Sequence, residues 1–96
     1  MEVLVTYDVA TDSIAGRRRL RRVADLCEAH GQRVQKSVFE CVLSGAELEV
    51  LRHKLRKEID AEEDSLRIYR LQEPRERFHE VMGRDLEFDL HEPLVF

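Results

Sequence analysis

The stretch QRVQKSVFECVL, residues 32–43, decides how this chain folds. Val34, Val38, Phe39, Cys41, Val42 and Leu43 give it the β-branched and apolar bias of extended structure. Polar Gln35–Ser37 at its centre suits either the tight connection between two strands or a bulge within one. On its N-terminal side, Ile14 to Ala29 reads as an amphipathic helix. Leu20, Val23, Ala24 and Cys27 follow the i, i+3, i+4, i+7 spacing of one buried face. Gly31 follows His30 and suits the C′ position of that helix. Farther back, Glu2 to Tyr7 (EVLVTY) reads as a strand ending at Asp8, and Asp12 or Ser13 suits the next helix cap. On the C-terminal side, Ser44 with Glu47 three residues on makes a capping box. Leu48, Leu51, Leu55 and Ile59 mark the buried stripe of the helix it opens, the run AEEDS ends it, and Ser65–Leu71 (SLRIYRL) alternates as a strand.

The order is β-α-β-β-α-β, the α+β ferredoxin-like pattern, over residues 1–71. Residues 72–96 form a C-terminal tail. It starts at a turn-like EPRE, with a short helix predicted over Arg75–Gly83. Its apolar pieces, Leu86–Phe88 and Leu94–Phe96, are predicted to add an edge strand to the sheet of this copy or of a partner. The strands carry apolar residues at both parities: Val3, Val5 and Tyr7 against Leu4, and Phe39, Cys41 and Leu43 against Val38 and Val42. A sheet apolar on both faces needs cover on both. With only two helices available, a second copy of the chain is the economical cover, so a homodimer is expected.

The 96 residues suffice for one domain, with 43% hydrophobic and 38% charged residues. No apolar run approaches a membrane span and the N-terminus lacks a signal-peptide pattern, so a cytoplasmic protein without membrane contact is expected. Cys27 and Cys41 have no metal-ligand spacing and read as small core residues. The net charge of −4 comes from the tail: residues 1–71 hold 13 acidic and 13 basic side chains, residues 72–96 hold 7 and 3. A neutral body can still carry a local basic patch for phosphates.

Asp8 is the first candidate for chemistry. A carboxylate ending a strand before a loop is well placed to face a cleft or an interface. Hard cations such as Mg²⁺ take one or two protein carboxylates, and a twofold axis can set one Asp8 against another. The plainer reading is a strand end or turn cap. The second candidate is the run GRRRLRR, residues 16–22. Arg17, Arg18, Arg19, Arg21 and Arg22 crowd the start of a helix, where cations oppose the helix dipole. Arginine grips phosphate bidentately, so an anion gives that placement a reason. The alternative is a solvated face paired with Asp12, Asp25 and Glu28. Arg33 and Lys36 extend the basic surface. Tyr7 and Phe39 are either base-stacking aromatics or core. The four histidines lack metal spacing and read as surface residues. No phosphate loop, nucleophile elbow or HExxH helix is present.

Taken together, VTYDV (5–9), GRRRLRRVADLCEAHGQRVQKSVFECVL (16–43) and SLRIYRL (65–71) resemble the CRISPR-associated protein two family. The resemblance covers residues 1–71 and fades over 72–96. It implies a ferredoxin-like homodimer whose sheets face each other. It implies that Asp8, one from each subunit, is the catalytic residue and the ligand of Mg²⁺ or Mn²⁺. It further implies a dimer seated between copies of the CRISPR integrase (CRISPR-associated protein one), holding spacer-precursor DNA, with metal-dependent endonuclease activity on RNA or DNA. A toxin-like ribonuclease or a small metabolite-sensing regulator on the same fold remains the alternative.

Overall fold

A computed structural model describes residues 1–84. Among the described residues seven elements follow one another: β1 (Glu2–Asp8), α1 (Ile14–His30), β2 (Gly31–Gln35), β3 (Val38–Val42), α2 (Gly45–Glu58), β4 (Ser65–Arg70) and a 3₁₀ turn at Arg75–Arg77. The four strands form one sheet in the order β2-β3-β1-β4, with every neighbouring pair antiparallel. This is the predicted ferredoxin-like arrangement.

The stretch 32–43 resolves into two strands, so its centre is the tight connection, and the irregularity lies just before it, at Val34. Lys36 and Ser37 make the turn, while the register slips between Arg33 and Gln35, opposite Phe39 and Val38. Ser13 caps α1, its hydroxyl accepting from the Gly16 N–H at 3.0 Å. Ser44 and Glu47 complete the capping box of α2, bonding reciprocally at 3.1 and 3.0 Å.

Gly31 departs from the sequence reading. Its φ of −162° is extended backbone, so it is not a left-handed C′ residue but the first residue of β2. Its smallness serves packing instead: a Cβ there would lie 2.3 Å from Cys41 Sγ and 2.5 Å from the Glu40 carbonyl oxygen. The helix predicted over Arg75–Gly83 is reduced to the single 3₁₀ turn. The strand pieces expected at Leu86–Phe88 and Leu94–Phe96 lie outside the described residues.

The core lies between the helices and one sheet face. Val3, Val5, Tyr7, Phe39, Cys41 and Leu43 meet Val23 and Cys27 of α1 and Leu48, Leu51 and Leu55 of α2. Leu20, Ala24 and Ile59 pack at its margin, partly buried. The opposite parity, with Leu4, Val38, Val42 and Tyr69, forms the other face, which no helix among the described residues covers. Val42 is 65% exposed there and Tyr69 46%. Arg75 reaches back to Glu40 on that face, at 2.6 Å.

Candidate active site

Three pieces of chain converge at the C-terminal end of β1. The Tyr7 N–H donates to the Ser37 carbonyl at 3.1 Å, which docks the β2–β3 turn against the strand end. Gly16 lets α1 start close to the loop after Asp8: a Cβ on it would sit 1.9 Å from the Ala10 carbonyl oxygen. Between them opens a cleft of about 370 Å³, lined by Asp8, Arg17, Arg21, Arg33 and Lys36, with Tyr7 in its wall. Four cations and one carboxylate therefore share a small concave surface. Arg17, Arg21 and Ala24 line it because they are spaced i, i+4, i+7 along α1.

Asp8 is exposed, and its carboxylate has no hydrogen bond or ion pair among the described residues. The cations are loosely held. Arg17 donates to the Thr11 carbonyl at 3.2 Å, and Arg33 lies 3.8 Å from Glu28. The Arg33 Nε is buried without a hydrogen-bond partner among the described residues, and the guanidinium carbon sits 5.1 Å from the centroid of the Phe39 ring. Phe39 in turn stacks on Tyr7, with ring centroids 6.2 Å apart. Burial, and secondarily the neighbouring Cys27, raise the Tyr7 phenol above its ordinary pKa, so the ring stays neutral.

The arginine run divides by helical position. Arg17 and Arg21 face the cleft. Arg18 is exposed and does not line it. Arg22 pairs with Glu58 of α2. Arg19 leaves the phosphate-binding set: its side chain is only 13% exposed and is bound to Asp64 at 2.9 Å and Glu63 at 3.2 Å. Base stacking by Phe39 is closed as well, because Phe39 is fully buried. Tyr7 is 6% exposed and packs as core. Sequence reasoning missed Asp64. Its signal was present in AEEDS, as the third acidic residue of a run read only as a helix end.

Among the described residues, no three His, Cys, Asp or Glu side chains gather as a metal cage. The donor chemistry at Asp8 still fits a hard cation. A free carboxylate with no thiolate or imidazole beside it suits Mg²⁺, which takes few protein ligands and completes its shell with water and phosphate oxygens. The four neighbouring cations favour that arrangement only when a phosphate occupies the cleft with the metal.

The family model described as CRISPR associated protein Cas2 matches residues 1–77. A CRISPR-associated endoribonuclease Cas2 of Moorella thermoacetica is 52% identical over 95 residues, covering 99% of both chains. A CRISPR-associated endonuclease Cas2 of Halalkalibacterium halodurans is 49% identical over 96 residues, covering both chains fully. Among solved structures, Streptococcus pyogenes Cas2 superposes with a TM-score of 0.77 at 52% identity, covering 86% of this chain and 100% of that one. No helix among the described residues is long and apolar enough to cross a membrane. The strand-ending Asp8, the arginine-lined cleft beside it and the ferredoxin-like sheet thus belong to a member of the CRISPR-associated Cas2 family.

Proposed function

We propose that this chain acts in spacer acquisition as a homodimer that bridges CRISPR integrase subunits and holds spacer-precursor DNA. In the same reading it is a metal-dependent endonuclease on RNA or DNA, with Asp8 of each subunit as the catalytic residue. The observation that carries this is the meeting, in a single cleft, of four cations with one carboxylate that has no partner among the described residues. Arg17, Arg21, Arg33 and Lys36 bind and orient a backbone phosphate, and Asp8 lies at the edge of that position. Mg²⁺ or Mn²⁺, held by Asp8, supplies positive charge and Lewis acidity at the phosphate. The dimer is supported by the sheet face that no described helix covers, where Val42 and Tyr69 are exposed beside Leu4 and Val38. Exposed apolar surface of that kind marks an interface.

The test uses purified full-length chain with labelled single-stranded RNA and duplex DNA, with and without a chelator. Asp8→Asn abolishes cleavage and leaves binding intact. Charge reversal at Arg17 and Arg21 weakens binding. Cleavage that survives Asp8→Asn removes Asp8 from the chemistry, and undiminished binding after charge reversal removes the cleft. Spacer uptake by the Asp8→Asn protein separates the two parts: normal uptake makes holding DNA, not cutting it, the physiological role.

A further inference from the structure

Asp64 lies outside the cleft, at the end of the connection between α2 and β4. Its side chain is 0% exposed. A buried carboxylate persists only when its oxygens are satisfied, and this one is. Oδ1 accepts from the Ala10 N–H at 3.1 Å and from Arg19 Nη2 at 3.4 Å. Oδ2 accepts from the Asp60 N–H at 2.8 Å and from Arg19 Nε at 2.9 Å. The charged groups around it are Arg19 from α1 and Asp60 and Glu63 from its own loop. Burial pushes the carboxyl pKa up, but Arg19 and the two backbone N–H donors outweigh it and hold the group below its ordinary range.

These contacts bear on Asp8. Ala10 follows it by two residues, and Ser65, next to Asp64, is the register partner of Asp8 across β1 and β4. Asp64 accepts from the Ala10 N–H, and Gly16 leaves room for the Ala10 carbonyl where a Cβ would collide. Val9, between them, is buried at 6% exposure. The backbone leaving Asp8 is therefore anchored at Val9 and Ala10, while the Asp8 carboxylate has no partner among the described residues.

We propose that Asp64 is a positioning residue for Asp8: the Asp64–Arg19 pair grips the Ala10 N–H and so sets the direction in which the Asp8 carboxylate leaves the end of β1. This rests on the reading of Asp8 as the cleavage residue. It also gives Arg19 its role, internal support in place of phosphate contact.

The test compares Asp64→Asn, Arg19→Lys and Arg19→Gln in the full chain, reading single-stranded RNA cleavage and the amide exchange of Ala10 by NMR. Asp64→Asn speeds Ala10 exchange and lowers kcat by about tenfold or more, with KM within about twofold, because a small misplacement of a reacting group costs rate before it costs binding. Arg19→Lys, which keeps the charge, recovers part of kcat, and Arg19→Gln does not. If Asp64→Asn fails to fold, the Arg19 pair carries the same comparison. Unchanged Ala10 exchange and unchanged kcat in the folded variants overturn the positioning role. So does a loss spread equally over kcat, KM and exchange along all of β1. Cleavage retained in Asp8→Asn would defeat the reading of Asp8 itself, and Ala10 exchange in Asp64→Asn would still decide whether Asp64 holds the strand end.

Discussion

The Arg33 guanidinium carbon lies 5.1 Å from the centroid of the Phe39 ring, and Phe39 is wholly buried. The ring thus serves the cleft without facing it, as a platform that holds one cation toward the other three. Such a contact is worth about 0.5–1 kcal/mol at a partly exposed site, or about two- to fivefold in affinity. Phe39→Leu keeps an apolar core residue and loses the ring face. Nucleic-acid binding should weaken by that factor, measured by fluorescence anisotropy at fixed salt. Phe39→Ala adds a cavity in the core and should destabilise the fold by about 3–5 kcal/mol in urea unfolding.

Gly31→Ala tests a steric need that no periodicity reveals. A Cβ would sit 2.3 Å from Cys41 Sγ and 2.5 Å from a backbone oxygen, and only the first of these can move aside easily. The expected loss is about 1–3 kcal/mol, read as a lower urea midpoint. A midpoint equal to that of the unsubstituted chain would show that β2 shifts freely.

The element order was legible because each segment agreed with itself. Leu48, Leu51 and Leu55 repeat at helical spacing behind a capping box, and Val3, Val5 and Tyr7 alternate toward the core. The open parity was legible for the same reason. Gly31 was misread because its sequence position matches a helix terminator, while its constraint comes from a strand neighbour ten residues away. In the arginine run, helical spacing could set Arg19 apart from Arg17 and Arg21. It could not disclose that Arg19 meets Asp64, 45 residues on, because that contact depends on how α1 lies against the α2–β4 loop. The cleft was half legible: Asp8, Arg17, Arg21, Arg33 and Lys36 were each marked, but only the docked β2–β3 turn brings them together.

Position on α1 should separate the arginines in salt titrations. Each phosphate contact contributes about one unit to the slope of log K against log salt. Arg21→Ala or Lys36→Ala should therefore lower the slope by about one for single-stranded or duplex ligands alike. Arg18→Ala, outside the cleft, should leave it nearly unchanged. Equal effects from all three would mean that the whole helix face, and not the cleft, meets the backbone.

The two thiols should be inert in the folded protein. Burial pushes the Cys27 pKa up to about 12, with the nearby Cys41 adding to it, and burial raises Cys41 as well. Thiolate, the reactive form, is then scarce at pH 8. Ellman's reagent or iodoacetamide should label neither cysteine in native buffer and both in denaturant. Rapid native labelling of Cys27 would show that α1 lifts readily from the sheet.

Acid should weaken the fold through Asp64 in a definite window. Its folded pKa lies below the unfolded value of about 3.9, so its contribution is complete above that value and is lost as pH falls through the folded pKa. Protonation takes away the charge that Arg19 and the Ala10 and Asp60 N–H groups address. Asp64→Asn removes the titration while keeping a similar shape. The stability gap between the unsubstituted chain and Asp64→Asn should therefore be widest near neutrality and close progressively below about pH 4. Urea unfolding at stepped pH reads this directly. A gap that stays constant down to strong acid would assign the effect of Asp64 to shape and hydrogen-bond count, with its ionisation contributing nothing.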